Sequence, residues 1–407
     1  MVNAERVPVV LVAGLAAEAA TEVANRFAAE PDTAVVHHDL RTMEHGVVWR
    51  RLRWGGQDES TPLELAHGCV SCTLREDLLP TIRELAMLGF ERIVVHLDPA
   101  LEPEAICWAL RSVVIEEETL DERVFVEAVI TALDLGTWLA DATGDELLDE
   151  RGLRAGANDE RTVAQVVVGQ VEFADTLVFS GSAGTLEELR TVAVLERLVS
   201  GVPQVALEDA RPAALLAGVP ETARRGEPDS AHGPLLRGQP PLGTDAGVVL
   251  RLFYARRPFH PGRLHAAFDL LLQGVVRARG RVWLASRPEH VLWVDSAGGG
   301  LRIGHAGRWL ASTADWSEED EERTALAALR WDDYYGDREQ SLVVLCHDAS
   351  PAEITAALDA ALLTDEELAA GEAEWRAYPD PFGEWHTEPC DENADVLALP
   401  QTRKDEQ

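Results

Sequence analysis

The sequence predicts an α/β protein with a mostly parallel sheet and helices on both faces, followed by a smaller α+β domain. In the first half, short β-branched apolar runs alternate with helical stretches, a pattern typical of βαβ units. Residues 224–245 are rich in Gly, Pro, Ser and charge and lack an apolar period, which indicates a linker. We therefore predict domains at residues 1–223 and 246–370, joined by this linker and followed by an acidic arm and tail at 371–407.

The elements of the first domain follow from their apolar spacing. Strands are predicted where β-branched apolar residues run without a break, and helices where apolar residues recur every three to four positions. The chain therefore opens as a strand, a turn at Gly14 and a helix. The predicted strands are Val7–Ala13, Ala34–His38, Arg92–Leu97, Val124–Leu133 and Thr176–Phe179, and the predicted helices are Thr21–Ala29, Arg75–Leu88, Glu102–Arg111 and Thr162–Val171.

The second domain mixes strands with fewer helices, which favours an α+β arrangement. The end of the chain carries four aromatic residues among prolines, and we expect it to lie on the body of the protein. The predicted strands are Val248–Tyr254, Arg281–Ser286, His290–Asp295, Gly300–Gly304 and Ser341–Cys346, the predicted helices are Gly262–Arg277 and Ala352–Leu363, and the four aromatics are Trp375, Tyr378, Phe382 and Trp385.

Composition and charge exclude several classes of function. The net charge of −35 over 407 residues opposes extensive direct binding of DNA or RNA, because that affinity comes mostly from cations. No apolar run reaches the roughly 18–20 residues of a membrane span, and the first residues lack the pattern of a secretory signal. We therefore expect a cytoplasmic protein without a membrane partner. The five cysteines are sparse and odd in number, which indicates reduced thiols.

The turn after the first strand occupies the place of a phosphate-binding loop. P-loop proteins bind phosphates there with backbone N–H groups, a lysine and a hydroxyl. Residues 14–21 read GLAAEAAT, so only Gly14 and Thr21 match that pattern. Ala20 stands in the position of the lysine, and Glu18 adds a carboxylate that would repel phosphate. The only lysine in the chain is Lys404, near its end.

Several ordered motifs make this an eroded phosphate-binding loop rather than a chance turn. They cover most of the chain, and together they resemble the CobW family of P-loop GTPases. The motifs are HGCVSCTLREDL at 67–78, RPFHP at 257–261, RARG at 277–280, WLA at 283–285, LLTDEE at 362–367 and DPF at 380–382.

The resemblance implies two further nucleotide motifs, and both are changed. In the catalytic segment, His96 replaces the family's glutamate and Pro99 the glycine whose N–H would meet a γ-phosphate. The guanine-reading Asn-Lys-x-Asp is replaced by SGSA at 180–183. Phosphoryl transfer depends almost wholly on positioning and electrostatic stabilisation. We therefore expect that GTP is not a cofactor and that hydrolysis is absent, which leaves Gly14 and Thr21 as a vestigial site.

Cys69 and Cys72 have the spacing of a metal-binding pair. The family motif has a third cysteine between them, and here Ser71 takes that position. The nearest further ligands are His67 and Glu64, and the ion that suits these donors is zinc. A redox pair and two buried small residues remain as alternatives. We also predict that Thr73 and Glu76 form a capping box at the start of the following helix.

The changed nucleotide motifs, the Cys-x-x-Cys and the Arg- and Ala-rich composition are similar to the actinobacterial branch of the family known as Mrf. That resemblance implies an adaptor, linked to zinc limitation, that recruits a hibernation-promoting factor to the ribosome. A basic protein partner would suit the acidic chain. The alternatives are a zinc metallochaperone, which would deliver metal to a client protein in a GTP-dependent way, and a zinc-responsive sensor.

Overall fold

The computed structural model describes residues 6–64, 70–115, 117–156, 159–182, 184–317 and 319–383, without the side chains of Ser71 and Cys72. The chain divides between Pro228 and Asp229, inside the predicted linker, into unit 1 and unit 2.

Unit 1 is built on an eight-stranded sheet in the order β10-β9-β8-β1-β5-β2-β3-β4. The pairs from β10 to β2 are parallel, whereas β3 and β4 continue the sheet as an antiparallel hairpin. Two short strands, β6 and β7, pair with each other. The strands are β1 (Val7–Ala13), β2 (Thr33–Asp39), β3 (Val47–Trp54), β4 (Gln57–Glu64), β5 (Arg92–His96), β6 (Val114–Ile115), β7 (Glu118–Thr119), β8 (Val124–Asp134), β9 (Thr176–Ser180) and β10 (Gln204–Ala206).

Helices cover both faces of this sheet. Side chains alternate along β1 as a strand requires: Val10 and Val12 pack in the core with α1, and Val9 and Leu11 pack in the core with α3 and α4. The helices are α1 (Ala17–Ala28), α2 (Val70–Thr73), which continues through a π-helical turn (Leu74–Leu78) into α3 (Leu79–Leu88), α4 (Pro103–Ser112), α5 (Trp138–Thr143), α6 (Val163–Glu172), α7 (Thr185–Leu198) and α8 (Pro212–Ala217).

Unit 2 contains a five-stranded antiparallel sheet in the order β11-β15-β12-β13-β14. α9 and α11 pack on the apolar face of this sheet around Phe259, Phe268 and Leu358. The elements are β11 (Val249–Ala255), α9 (Pro261–Leu271), β12 (Val275–Val282), β13 (His290–Ala297), β14 (Gly300–Arg308), α10 (Glu321–Arg330), β15 (Gln340–Cys346), α11 (Pro351–Ala361), α12 (Asp365–Ala370) and α13 (Glu372–Trp375).

The predicted fold class is confirmed, with several local corrections. The strand predicted at Arg281–Ser286 is observed earlier in the chain, as β12 (Val275–Val282). The β3–β4 hairpin was not predicted, because three arginines and two tryptophans hide the apolar alternation of its strands. The predicted helix Gly262–Arg277 is too long: α9 ends at Leu271, and Gly274, with a φ of +68°, leads into β12. A positive φ at this point favours glycine and ends the helix.

The segment predicted as a linker makes defined contacts within each unit. In unit 1, the backbone N–H of Arg225 donates to the Asp175 carboxylate at 3.0 Å. In unit 2, Arg281 donates to the carbonyl oxygens of Ala231 at 3.1 Å and Gly233 at 2.8 Å. These bonds fix the backbone on both sides of the division between the units.

The arm after Gly371 packs on unit 2 as far as it is described. Trp375 is buried and meets the Trp283 ring edge to face at 6.3 Å, and Tyr378 stacks on His260 at 4.7 Å. Trp385 lies outside the described residues. Among the described helices, none combines the length and the apolar character that crossing a membrane demands.

Candidate functional site

The turn between β1 and α1 is shorter than a phosphate-binding loop. In a P-loop, the loop residues lie between the strand and the helix, and their N–H groups surround the phosphates. Here α1 already begins at Ala17. The N–H groups of Ala17 and Ala20 donate to the carbonyl oxygens of Leu15 and Ala16 at 2.8 and 3.0 Å. Most of the positions that would form the phosphate cradle are therefore helical.

The two residues that match the P-loop pattern have different surroundings. Gly14 has a φ of +140°, and a Cβ atom there would lie 2.0 Å from the carbonyl oxygen of Ala132 on β8. Its packing against β8 is therefore sufficient to require glycine. Thr21 is half-buried within α1, one turn after the helix begins. Ala20, in the lysine position, is only 1% exposed.

His96 ends β5 at the position of the family's catalytic glutamate. Its ring is buried and stacks on His37 of β2 at 4.5 Å. Burial, followed by the neighbouring His37 and two arginines, lowers the pKa of His96 to about 3. At neutral pH this group is an uncharged imidazole, whereas a glutamate would carry a negative charge.

The loop after β5 is held by side chains from other elements. Asp98 accepts the N–H groups of Leu40 and Ala100, both at 3.0 Å, and burial raises its pKa. Arg161 donates to the Ala100 carbonyl oxygen at 2.9 Å. Gln170 donates to the carbonyl oxygens of Pro99 and Leu101 at 3.0 and 2.9 Å. In the segment that corresponds to the family's catalytic motif, these backbone carbonyl groups therefore accept hydrogen bonds from the protein itself.

The segment after β9 also differs from a base-reading site. A Cβ atom on Gly181, which stands in the place of the family's lysine, would lie 2.2 Å from a carboxylate oxygen of Asp134. Asp134 is fixed by the N–H of Gly136 at 2.8 Å. A side chain at position 181 would require Asp134 to move.

The structure describes the predicted metal ligands only in part. Glu64 is exposed at the end of β4. His67 and Cys69 lie outside the described residues. Cys72 belongs to α2, and its side chain is also outside the description. Across the described residues, no group of three or more His, Cys, Asp and Glu side chains is arranged to hold a metal ion.

The predicted capping box is wrong. Thr73 has helical dihedral angles, because the helix already begins at Val70, three residues earlier. Thr73 therefore lies inside a continuous helix and cannot be its N-cap.

A buried polar network that the sequence did not reveal supports this helix. Asp77 accepts a hydrogen bond from His38 at 2.6 Å and one from Arg50 at 2.7 Å, which ties the π-helical turn to β2 and β3. Beside it, the helix covers His96 and Asp98, with a cavity of only about 10 Å³ between them. That space is at the lower limit for one water molecule. In the sequence, the doublet His37-His38 at the end of a predicted strand was the signal that could have indicated this network.

An open cavity of about 400 Å³ lies on the sheet over β2, β3 and β4. Its polar lining includes two arginines that are each paired with an aspartate: Arg41 with Asp39, and Arg51 with Asp58 at 2.8 Å between Nε and Oδ1. The remaining lining residues are His37, Trp49 and Ser60.

A mostly parallel sheet with a glycine turn after β1, followed along the chain by a smaller domain with an antiparallel sheet, defines a P-loop GTPase-like protein of two domains. The chain belongs to the CobW/HypB/UreG family. Residues 24–204 match its nucleotide-binding domain, and residues 249–362 match the cobalamin synthesis protein cobW C-terminal domain. The first match begins after the altered turn at residues 14–21.

Among its relatives is a Mycobacterium tuberculosis protein named zinc chaperone Rv0106, which is 44% identical over 96% of each chain. The zinc-regulated GTPase metalloprotein activator 1 of Dictyostelium discoideum is 27% identical over 79% of this chain and 70% of its own. The structure is also similar to the zinc-bound YjiA GTPase of E. coli, with 14% identity, coverage of 88% of this chain and all of that one, and a TM-score of 0.38.

Proposed function

We propose that this protein is a zinc metallochaperone-type member of the CobW family that works without GTP hydrolysis at the usual site. The observation that carries the proposal is that α1 begins at Ala17. Most of the positions that would surround the phosphates in a P-loop are therefore part of a helix. The zinc part of the proposal is supported by the relatives, of which one is named a zinc chaperone and another a zinc-regulated GTPase metalloprotein activator.

Three changes in unit 1 support the loss of hydrolysis. A lysine is missing from α1, where Ala20 is buried instead. His96 carries no negative charge at neutral pH. Hydrogen bonds from Arg161 and Gln170 hold the loop that follows it in the chain. Transition-state stabilisation in this class depends on a positioned lysine, metal and catalytic residue together, so these changes should act in the same direction.

The proposed zinc donors are Cys69 and Cys72, with His67 and Glu64 as candidates for the remaining positions. Thiolate and imidazole are the donors that zinc prefers, and a tetrahedral site needs four. The exposed carboxylate of Glu64 lies at the end of β4, and Cys72 lies on α2. The other two proposed donors, His67 and Cys69, belong to the short connection between these elements in the sequence.

The names of the relatives favour this metallochaperone alternative over the ribosome-linked adaptor that the Mrf resemblance implies. The adaptor hypothesis depends on that resemblance, and the acidic charge of the chain is compatible with it only through a basic protein partner. Capture of a hibernation-promoting factor from zinc-starved cells, in proportion to the amount of this protein, would restore it to first place.

The proposal is tested by loading the full chain with Zn²⁺ and following its release to a chromophoric chelator, with and without Mg²⁺-GTP. We expect the replacement of Cys69 and Cys72 by serine to remove the slowly released zinc, and we expect GTP to leave the release rate unchanged. Cys107→Ser is the matched control, because Cys107 is fully buried in the core. Zinc release that accelerates with GTP would overturn the proposal, and so would slowly released zinc that does not depend on the two cysteines.

A further inference from the structure

Unit 2 contains a pair of histidines from neighbouring strands whose ring nitrogens point at each other. His290 begins β13 and His305 lies on β14. The distance from His290 Nδ1 to His305 Nε2 is 2.8 Å, and the ring centroids are 4.9 Å apart with a tilt of 59°. A register irregularity between His290 and Leu292 brings the two side chains together.

The hydrogen bonds assign the ring protons. His305 Nδ1 accepts the backbone N–H of Gly307 at 3.4 Å, so Nε2 is the protonated nitrogen of that ring. It therefore donates to Nδ1 of His290. A single proton lies between these two nitrogen atoms. Without that proton, each nitrogen would have a lone pair directed into the space between the rings.

From this geometry, we propose that His290 and His305 form a second metal site, in unit 2, for a divalent ion that prefers imidazole, such as Zn²⁺. Two zinc–nitrogen bonds of about 2.0–2.1 Å at a tetrahedral angle place the nitrogens about 3.3 Å apart, so the rings need to separate by about half an ångström and to turn until both lone pairs point at the ion. On binding, the proton of His305 moves from Nε2 to Nδ1 of the same ring. The long bond from Gly307 is given up.

The surroundings leave both imidazoles uncharged and able to bind a metal near neutral pH. Both rings are half-buried, and burial is the main reason that the pKa of each is lowered. Arg308, which lies opposite His290 on β14, also lowers the pKa of both rings, whereas Arg287 pairs with Asp380 at 2.7 Å and Arg376 pairs with Glu289 at 3.0 Å. Because no described third ligand converges here, water completes the coordination, which suits an exchangeable ion.

This inference goes beyond the proposed function, because it needs neither cysteine. The test titrates Zn²⁺ into the full chain with Cys69 and Cys72 both replaced by serine, in competition with a chromophoric chelator. We expect one bound ion per chain. His290→Gln and His305→Gln should each abolish it. His265→Gln should retain it, because His265 is an exposed histidine of the same unit that lies outside the pair.

Imidazole ¹⁵N chemical shifts provide a second measurement that requires no substitution at the pair. Adding Zn²⁺ should shift the nitrogens of His290 and His305 and leave those of His265 unchanged. The proposal is overturned if the serine variant binds no zinc, or if it binds zinc equally well after either histidine is replaced. Because the cysteines are already absent, neither result depends on whether Cys69 and Cys72 hold zinc.

Discussion

Gly14, which matches the phosphate-binding pattern, is required by its packing alone. Its φ of +140° and its closeness to the carbonyl oxygen of Ala132 are both incompatible with a side chain. We expect Gly14→Ala to lower the free energy of unfolding by at least about 2 kcal/mol, because β1 must move away from β8. Urea denaturation measures the change.

Gly184→Ala provides the control for this substitution. Gly184 lies in the same unit and has a φ of −68°, and a Cβ atom added there would meet no other atom within 4 Å. We expect its replacement to cost less than about 0.5 kcal/mol. Equal costs at the two positions would show that packing against β8 is not what retains Gly14.

At the level of single residues, the sequence predicted the changed motifs but not their surroundings. The absence of lysine at position 20 and of glutamate at position 96 could be read directly from the printed residues. That His96 stacks on His37, or that Asp134 closes over Gly181, depends on strands distant in the chain. Such contacts are set by sheet order, which no local pattern contains.

The helix α1 explains why the altered turn differs from a phosphate-binding loop. Alanine has the highest helix propensity, and glycine among the lowest, so alanines in place of loop glycines extend the helix towards β1. The predicted start at Thr21 is therefore four residues later than the observed start at Ala17. The prediction was taken from apolar spacing alone, which does not register the helix propensity of the alanines before Thr21.

Restoring the lysine alone should not restore the site. Ala20→Lys places a charged side chain at a position that is 1% exposed, and we expect it to cost about 3 kcal/mol of stability without creating GTP affinity. Ala17→Lys is the matched control, because Ala17 is exposed on the same helix. That substitution should cost less than about 1 kcal/mol. Similar losses in the two variants, measured by urea denaturation, would contradict the burial of position 20.

The cap of α12 provides a pH-dependent test in unit 2. Thr364 and Glu367 form a capping box, and Arg263 donates to Glu367 at 2.7 and 2.9 Å. The hydrogen bonds from Arg263 lower the pKa of Glu367 to about 2, below its usual 4.5. The ionised form is therefore favoured by folding. This contribution is complete above about pH 4.5 and is lost as the pH falls towards 2.

We therefore expect Glu367→Gln to reduce stability at pH 7 and to make no difference near pH 2. Thermal unfolding of both proteins between pH 7 and pH 2 measures this convergence. Glu366→Gln is the control at an exposed neighbouring position and should leave stability nearly unchanged. A constant difference between wild type and Glu367→Gln at every pH would contradict the assignment.

The β3–β4 hairpin shows what the element-level prediction missed. The signal was present in Gly55-Gly56, with φ values of +50° and +82°, since two glycines between strands favour a tight hairpin turn. The flanking strands lie at the edge of the sheet with exposed polar residues, so their apolar alternation is weak. Apolar and polar residues alternate along a strand when one of its faces is buried. An exposed hairpin lacks this alternation and is therefore difficult to detect from the sequence.

At the scale of the whole molecule, the CobW family combines zinc handling with the use of GTP, and we propose that this chain has the first without the second. The fold of both units is that of the family, and the zinc handling proposed above is supported by the names of two relatives. The nucleotide motifs are changed at three places along the sheet edge, and the residues around them make structural contacts there. The central claim is therefore that this chain no longer uses GTP.

Calorimetric titration of the full chain with Mg²⁺-GTP, in the presence and absence of Zn²⁺, tests this claim most directly. The account predicts no detectable binding heat in either condition. It also predicts no phosphate release above that of a protein-free blank. Saturable binding with micromolar affinity would contradict the account and would indicate a GTP-dependent metallochaperone with an unconventional nucleotide site.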